Sequence, residues 1–196
     1  KPDTSVDTVI SRELYKACIG RSLAWWSGKF CSIGVDPALT GTDDMVISIM
    51  ESGRLLGEEI MPKCEAPQAC SFMAVAQRKY FPDGCTMVVD CDGLGAPITQ
   101  FYRTMKTDNV DLVEFHGSCT DRDQVSPEFH NHRAEASFYA KLRMEQGHIA
   151  LDGNDDAMEE GTSEKYFMNL RGKIQSEDKD DIRERIGRAP GRWDAR

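Results

Sequence analysis

Two short apolar runs, residues 30–36 and 85–90, each end on an aspartate, and that placement narrows the folds open to this chain. Lys29-Phe30-Cys31-Ser32-Ile33-Gly34-Val35-Asp36 and Cys85-Thr86-Met87-Val88-Val89-Asp90 each read as a short buried strand. A carboxylate at the carboxyl end of such a strand sits where open α/β sheets bind ligands. Asp194, within Pro190-Gly191-Arg192-Trp193-Asp194-Ala195, is distant in sequence but free to converge with them in space. Carboxylates brought together repel and need a cation, and hard oxygen donors favour Mg²⁺ or Mn²⁺. The triple points to metal-assisted phosphodiester cleavage. Strand-end aspartates also serve as ordinary turn residues, so the residues alone leave both readings open.

The rest of the chain orders itself around these runs. Ser11 caps a short helix that ends near Cys18. Trp25 and Trp26 read as packing residues rather than as platforms for nucleic acid. Strands are expected at 30–36, 44–50 and 54–60, with Ser52-Gly53 turning the last pair. A helix spans Ala66 to Tyr80 and is ended by Phe81-Pro82-Asp83-Gly84. Another, 98–105, precedes the strand Val110 to Phe115, and Gly117 to Glu128 forms a polar loop. Asn131 caps a helix running to Gln146 and closed by Gly147. A short strand His148-Ile149-Ala150-Leu151 and helices at 156–167 and 178–187 complete the pattern. A meander followed by alternating helices and strands predicts an α/β fold, a mixed central sheet flanked by helices. The expected division is a lead-in over 1–28 and one domain over 29–196.

Several stretches, in order, resemble the nuclease domain of phage large terminases, the DNA-packaging motors. Gly34-Val35-Asp36-Pro37-Ala38, then Gly41-Thr42-Asp43-Asp44-Met45-Val46-Ile47, is similar to that family's first strand, turn and second strand. Val89-Asp90-Cys91-Asp92-Gly93-Leu94-Gly95-Ala96 resembles its second acidic motif, and Asn131-His132-Arg133-Ala134-Glu135 its Asn-x-Arg-Ala-Glu helix start. Gly172 to Glu177, Lys179 to Arg183 and Trp193-Asp194-Ala195 resemble the closing stretch that carries the third acid. The resemblance covers about residues 30 to 196. It departs from the family where Gly191 replaces the first of two possible acids, which leaves the third ligand role to Asp194.

The resemblance implies an RNase H-like fold and an endonuclease that cuts double-stranded concatemeric DNA during genome packaging. Its implied metal ligands are Asp36, Asp90 and Asp194, holding two Mg²⁺ or Mn²⁺ ions, with Asp92 a candidate for a supporting contact. It implies an ATPase motor in the same full-length chain, and portal and small terminase subunits as partners. It places the protein in the host cytoplasm, transiently at the procapsid portal. No G-x-x-x-x-G-K-[ST] occurs in these residues, so the motor is expected upstream.

Charge adds a constraint. The net charge of −9 disfavours DNA, yet residues 171–196 hold eight Lys and Arg against six Asp and Glu. Lys179, Arg183, Arg188 and Arg192 are the candidate phosphate contacts there, weighed against a solvated helix face. Weak DNA binding by these 196 residues alone is expected, with other domains supplying most of the grip. Asp43 and Asp44 read as hairpin-turn residues, His130 and His132 as surface or capping histidines, and Arg133 with Glu135 as an ion pair. The seven cysteines include no C-x-x-C pair and read as reduced thiols rather than a zinc site. No apolar run approaches the ~20 residues of a membrane span. Two rival readings remain: a haloacid dehalogenase-like, Mg²⁺-dependent phosphatase using Asp90 and Asp92, and a DNA-binding domain without catalysis.

Overall fold

The structure is a computed structural model describing residues 7–23, 29–38, 44–92, 95–105, 107 and 109–196. Trp25, Trp26 and Asp43 lie outside the described residues. The chain forms two compact units: 24–115 with 191–196, and 1–23 with 116–190.

The first unit is built on a five-stranded sheet. Its strands are β1 (Cys31–Asp36), β2 (Met45–Glu51), β3 (Arg54–Met61), β4 (Cys85–Asp90) and β5 (Val110–Phe115), in the order β3-β2-β1-β4-β5. The first three form an antiparallel meander, and β4 and β5 run parallel to β1. Ser52 and Gly53 join β2 to β3 with φ of 49° and 85°, the positive pair that a tight primed hairpin turn requires. Ser52 Oγ also accepts the Phe30 amide at 3.2 Å, tying the turn to the start of β1.

Period-2 alternation decides the faces of the sheet. Ile33, Val35, Ile47, Ile49, Met87 and Val89 are buried in one cluster with Ala69, Cys70 and Met73 of α2 (Ala66–Tyr80) and Ile98 and Tyr102 of α3 (Gly95–Thr104). Each aliphatic side chain buried this way contributes ~1.5–3 kcal/mol. α2 begins with a reciprocal cap, in which Gln68 accepts the Glu65 amide at 2.8 Å, and it stops before Pro82. The residues between the buried ones, Gly34 and Asp36 on β1 and Val88 and Asp90 on β4, belong to the other face. That face carries α7 (Gly191–Asp194), a short helix absent from the sequence expectation.

The second unit holds α1 (Arg12–Cys18), α4 (His132–Glu145), α5 (Asp155–Ser163), α6 (Lys179–Ile186) and the hairpin of β6 (Tyr166–Met168) and β7 (Ile174–Ser176). Asn131 and Asn154 cap α4 and α5, accepting the amides of Ala134 and Ala157 at 3.0 Å each. Phe138 packs between Phe129 and Tyr166, with ring centroids 5.6 and 5.0 Å away. Three expectations need correction here. The helix 156–167 stops at Ser163, because Glu164 turns inward to accept the Ser137 hydroxyl at 2.8 Å and the chain then pairs as β6. The strand 148–151 reduces to a bridge between Leu151 and Ile19. Arg133 and Glu135 do not pair. Arg133 donates to the Glu177 carbonyl at 3.1 Å, while Glu135 holds the Ser126 hydroxyl, since residues two apart on a helix face different ways.

Candidate active site

Parallel register puts two carboxylates side by side. Gly34 aligns with Val88 and Val35 with Val89, and one residue further each strand ends on its aspartate, Asp36 and Asp90. Neighbouring strands lie ~4.8 Å apart, so the two side chains leave adjacent strands on a common face. Both aspartates are partly exposed, whereas Val35 and Val89 beside them are buried. Asp90 is held by a local turn, its Oδ1 accepting the Asp92 amide at 2.9 Å. α3 begins directly against this turn: a Cβ on Gly95 would stand 1.9 Å from the Asp90 carbonyl oxygen, so only glycine fits. Asp92 itself is exposed, and its amide is what steadies Asp90.

The end of the chain comes to the same face. A Cβ on Gly34 would lie 1.9 Å from the carbonyl oxygen of Ala195, so the missing side chain in the middle of β1 opens the space into which residues 194–196 settle. Gly191 completes the fit, because a Cβ there would stand 2.8 Å from Asp36 Oδ2. The short helix passes beside that carboxylate as bare backbone, with Asp194 three residues further along.

Ion pairing fastens the helix to the sheet. Gly34 pairs with Ser48, and Ser48 with Glu58, forming a row across β1, β2 and β3. Glu58 Oε2 accepts Arg192 Nη1 at 2.7 Å, and its Oε1 accepts Arg196 Nε at 2.8 Å. The side chains of Glu58 and Arg196 are only 7% and 2% exposed. Neither Glu58 nor Arg196 was anticipated from sequence. The available signal was Glu58-Glu59 inside a strand, where glutamate is depleted and alternation must turn one of the two toward a packed face. Glu59, on the opposite face, bonds to Lys79 and Tyr80, which hold its carboxyl below the usual range.

The other sequence candidates have defined places. Arg188 pairs with Glu160 at 3.1 Å, Glu159 at 2.8 Å and Asp156 at 3.2 Å. Lys179 and Arg183 lie on α6, with Arg183 exposed. His132 lays its ring nitrogens against the carbonyls of His116 and Gln124, at 3.2 and 3.1 Å. The seven cysteines are free thiols, and burial pushes Cys70 and Cys85 up to about 11. Among the described residues no three His, Cys, Asp or Glu side chains form a ready-made ligand group. The structure brings Asp36 and Asp90 to neighbouring strand ends and docks the segment bearing Asp194 over Asp36, without closing the three into a cage. The donors are all carboxylate oxygens, the chemistry that Mg²⁺ and Mn²⁺ prefer.

No protein-family model matches the chain, and no curated protein matches it by sequence. Solved structures do match. The nuclease domain of the large terminase subunit of bacterial virus Sf6 is 17% identical, with a TM-score of 0.82 over 96% of both chains. A mutant of that domain with manganese is 16% identical, with a TM-score of 0.79 over 96% of each chain. The large terminase nuclease of thermophilic phage G20c with bound magnesium is 15% identical, with a TM-score of 0.62 over 98% of this chain and 97% of that one. The fold is therefore RNase H-like and is that of phage large-terminase nuclease domains, as the sequence motifs implied.

Proposed function

We propose that this chain is the nuclease domain of a phage large terminase, a divalent-metal-dependent endonuclease that cuts double-stranded concatemeric DNA during genome packaging. One observation carries the reading above the others. Asp36 and Asp90 end neighbouring parallel strands in register, and a C-terminal helix bearing Asp194 docks on the same face, over Asp36. The shared fold with the Sf6 and G20c nucleases supports it, as do the manganese and magnesium found with those proteins.

In this reading Asp36, Asp90 and Asp194 hold two Mg²⁺ or Mn²⁺ ions, and Asp92 steadies Asp90 through its amide. Bound there, such ions supply Lewis-acid activation of water and neutralise charge on the leaving 3′ oxygen. The protein's own work is placement. β1 and β4 fix two carboxylates rigidly because both strands are paired on either side, and α7 adds the third from above. Lys179, Arg183, Arg188 and Arg192 are the candidate phosphate contacts, and Arg188 and Arg192 also pair with carboxylates. With a net charge of −9, grip on DNA comes largely from elsewhere in the full-length protein: an ATPase domain, with portal and small terminase subunits as partners. We assign residues 29–196 to the nuclease domain and 1–28 to a lead-in, and place the protein in the host cytoplasm, transiently at the procapsid portal.

The phosphatase alternative gains nothing from the arrangement. It gives Asp90 and Asp92 roles but leaves Asp36, one strand away, without one. Supercoiled plasmid decides between them: Mn²⁺ or Mg²⁺ should produce nicked and linear forms, EDTA should leave plasmid intact, and Asp36→Asn should abolish cutting. Hydrolysis of small aryl phosphates without DNA cleavage would reverse the assignment.

A further inference from the structure

The contact between Glu58 and the two arginines goes beyond the three aspartates. We propose that Glu58 is a positioning residue: by gripping Arg192 and Arg196 it holds α7 on the sheet and sets where Asp194 stands relative to Asp36. The proposal rests on the nuclease reading of the site.

Three features support it. The first is stoichiometry. Both oxygens of one carboxylate are occupied, Oε2 by Arg192 at 2.7 Å and Oε1 by Arg196 at 2.8 Å. These arginines flank Asp194 on either side in sequence, so Asp194 is suspended between two fixed points. The second is burial. With Glu58 7% and Arg196 2% exposed, the pair is screened little by water or salt, and losing one member strands charge in a dry place. The third is how little α7 buries of its own. α7 is a single turn of four residues, none of them buried. Ala195 is buried, but an alanine methyl contributes only ~1 kcal/mol.

The consequence is specific. Mg²⁺–oxygen bonds of ~2.0–2.1 Å tolerate little displacement, so a loosened α7 removes Asp194 from the ligand set while leaving Asp36 and Asp90 on their strands. Charge, rather than shape, should matter at position 58. Glu58→Asp keeps the negative charge within reach of two long, flexible guanidiniums, whereas Glu58→Gln keeps the shape and leaves the buried Arg196 and the half-buried Arg192 without a countercharge between them.

Hydrogen exchange and plasmid cleavage in Mn²⁺ test this together. Glu58→Gln should speed amide exchange in residues 191–196 by at least about tenfold, leave β1 and β4 protected, and lower cleavage by at least about tenfold. Glu58→Asp should recover both to within about threefold of wild type. Should Glu58→Gln fail to fold, Arg196→Ala breaks the same contact from the chain end and should show the same two changes. Exchange at the wild-type rate in these variants overturns the clamp. A freed C-terminal segment with undiminished cleavage overturns the positioning role. Absence of cleavage by the wild-type protein would instead overturn the nuclease reading, and the exchange comparison would still decide whether Glu58 holds α7.

Discussion

Gly191 is the residue on which the site's geometry turns, because it stands where a terminase-like sequence offers an acid. A Cβ there would lie 2.8 Å from Asp36 Oδ2, so even alanine must displace either the carboxylate or α7. Gly191→Ala should therefore lower Mn²⁺-dependent cleavage by at least about tenfold with a change in melting temperature of a few degrees at most, since overpacking costs ~1–3 kcal/mol and falls on a terminal segment. Unchanged cleavage would show that Asp36 and Gly191 do not share this space. The cysteines give a second residue-scale expectation. Cys70 and Cys85 are raised from 9.0 to about 11 by burial. A thiol whose folded value is raised contributes stability that is complete below its unfolded value and is lost as pH rises through the folded one. Melting temperature should therefore fall between pH 9 and about 11, less steeply in a Cys70→Ala, Cys85→Ala variant corrected for its lower starting value. An equal slope would place the alkaline sensitivity elsewhere.

Elements governed by local chemistry were legible in the sequence; those made by distant contacts were not. α2 and β5 occupy the residues their patterns indicated, because a capping residue, a proline stop or strict alternation marks each end within the element. Asn131 begins α4 as its side chain required, and Asn131→Ala should cost ~1 kcal/mol, visible as a lower urea midpoint at constant slope. No loss would mean that tertiary packing alone sets the start of that helix. By contrast, β6 and β7 are three residues each and exist through mutual pairing, so Tyr166-Phe167-Met168 carried too little pattern to displace a helical reading. α7 was invisible for a similar reason. Four residues with one arginine and a tryptophan show no amphipathic period, and the arginine bonds to Glu58, over 130 positions away. The first two candidate ligands were readable because each is the last residue of an apolar strand; the device that brings in the third was not.

At the scale of the molecule, an acidic chain of 196 residues shares a fold with nucleases while carrying no excess of positive charge. In its one mildly basic stretch, 171–196, half of the eight Lys and Arg pair with carboxylates: Arg185 with Glu177, Arg188 with Glu160, Arg192 and Arg196 with Glu58. Among the described residues no helix is long and apolar enough to cross a membrane. The central claim is that the ends of two strands and the end of the chain make one cation site. Calorimetric titration of the wild-type protein with Mn²⁺, beside Asp194→Ala and Asp178→Ala, tests it most directly. Two Mn²⁺ should bind to wild type and to Asp178→Ala, with at least about tenfold weaker binding in Asp194→Ala, because Mg²⁺- and Mn²⁺-type sites tolerate little displacement and a carboxylate elsewhere on the surface cannot stand in for a ligand. Binding by Asp194→Ala indistinguishable from wild type would contradict it.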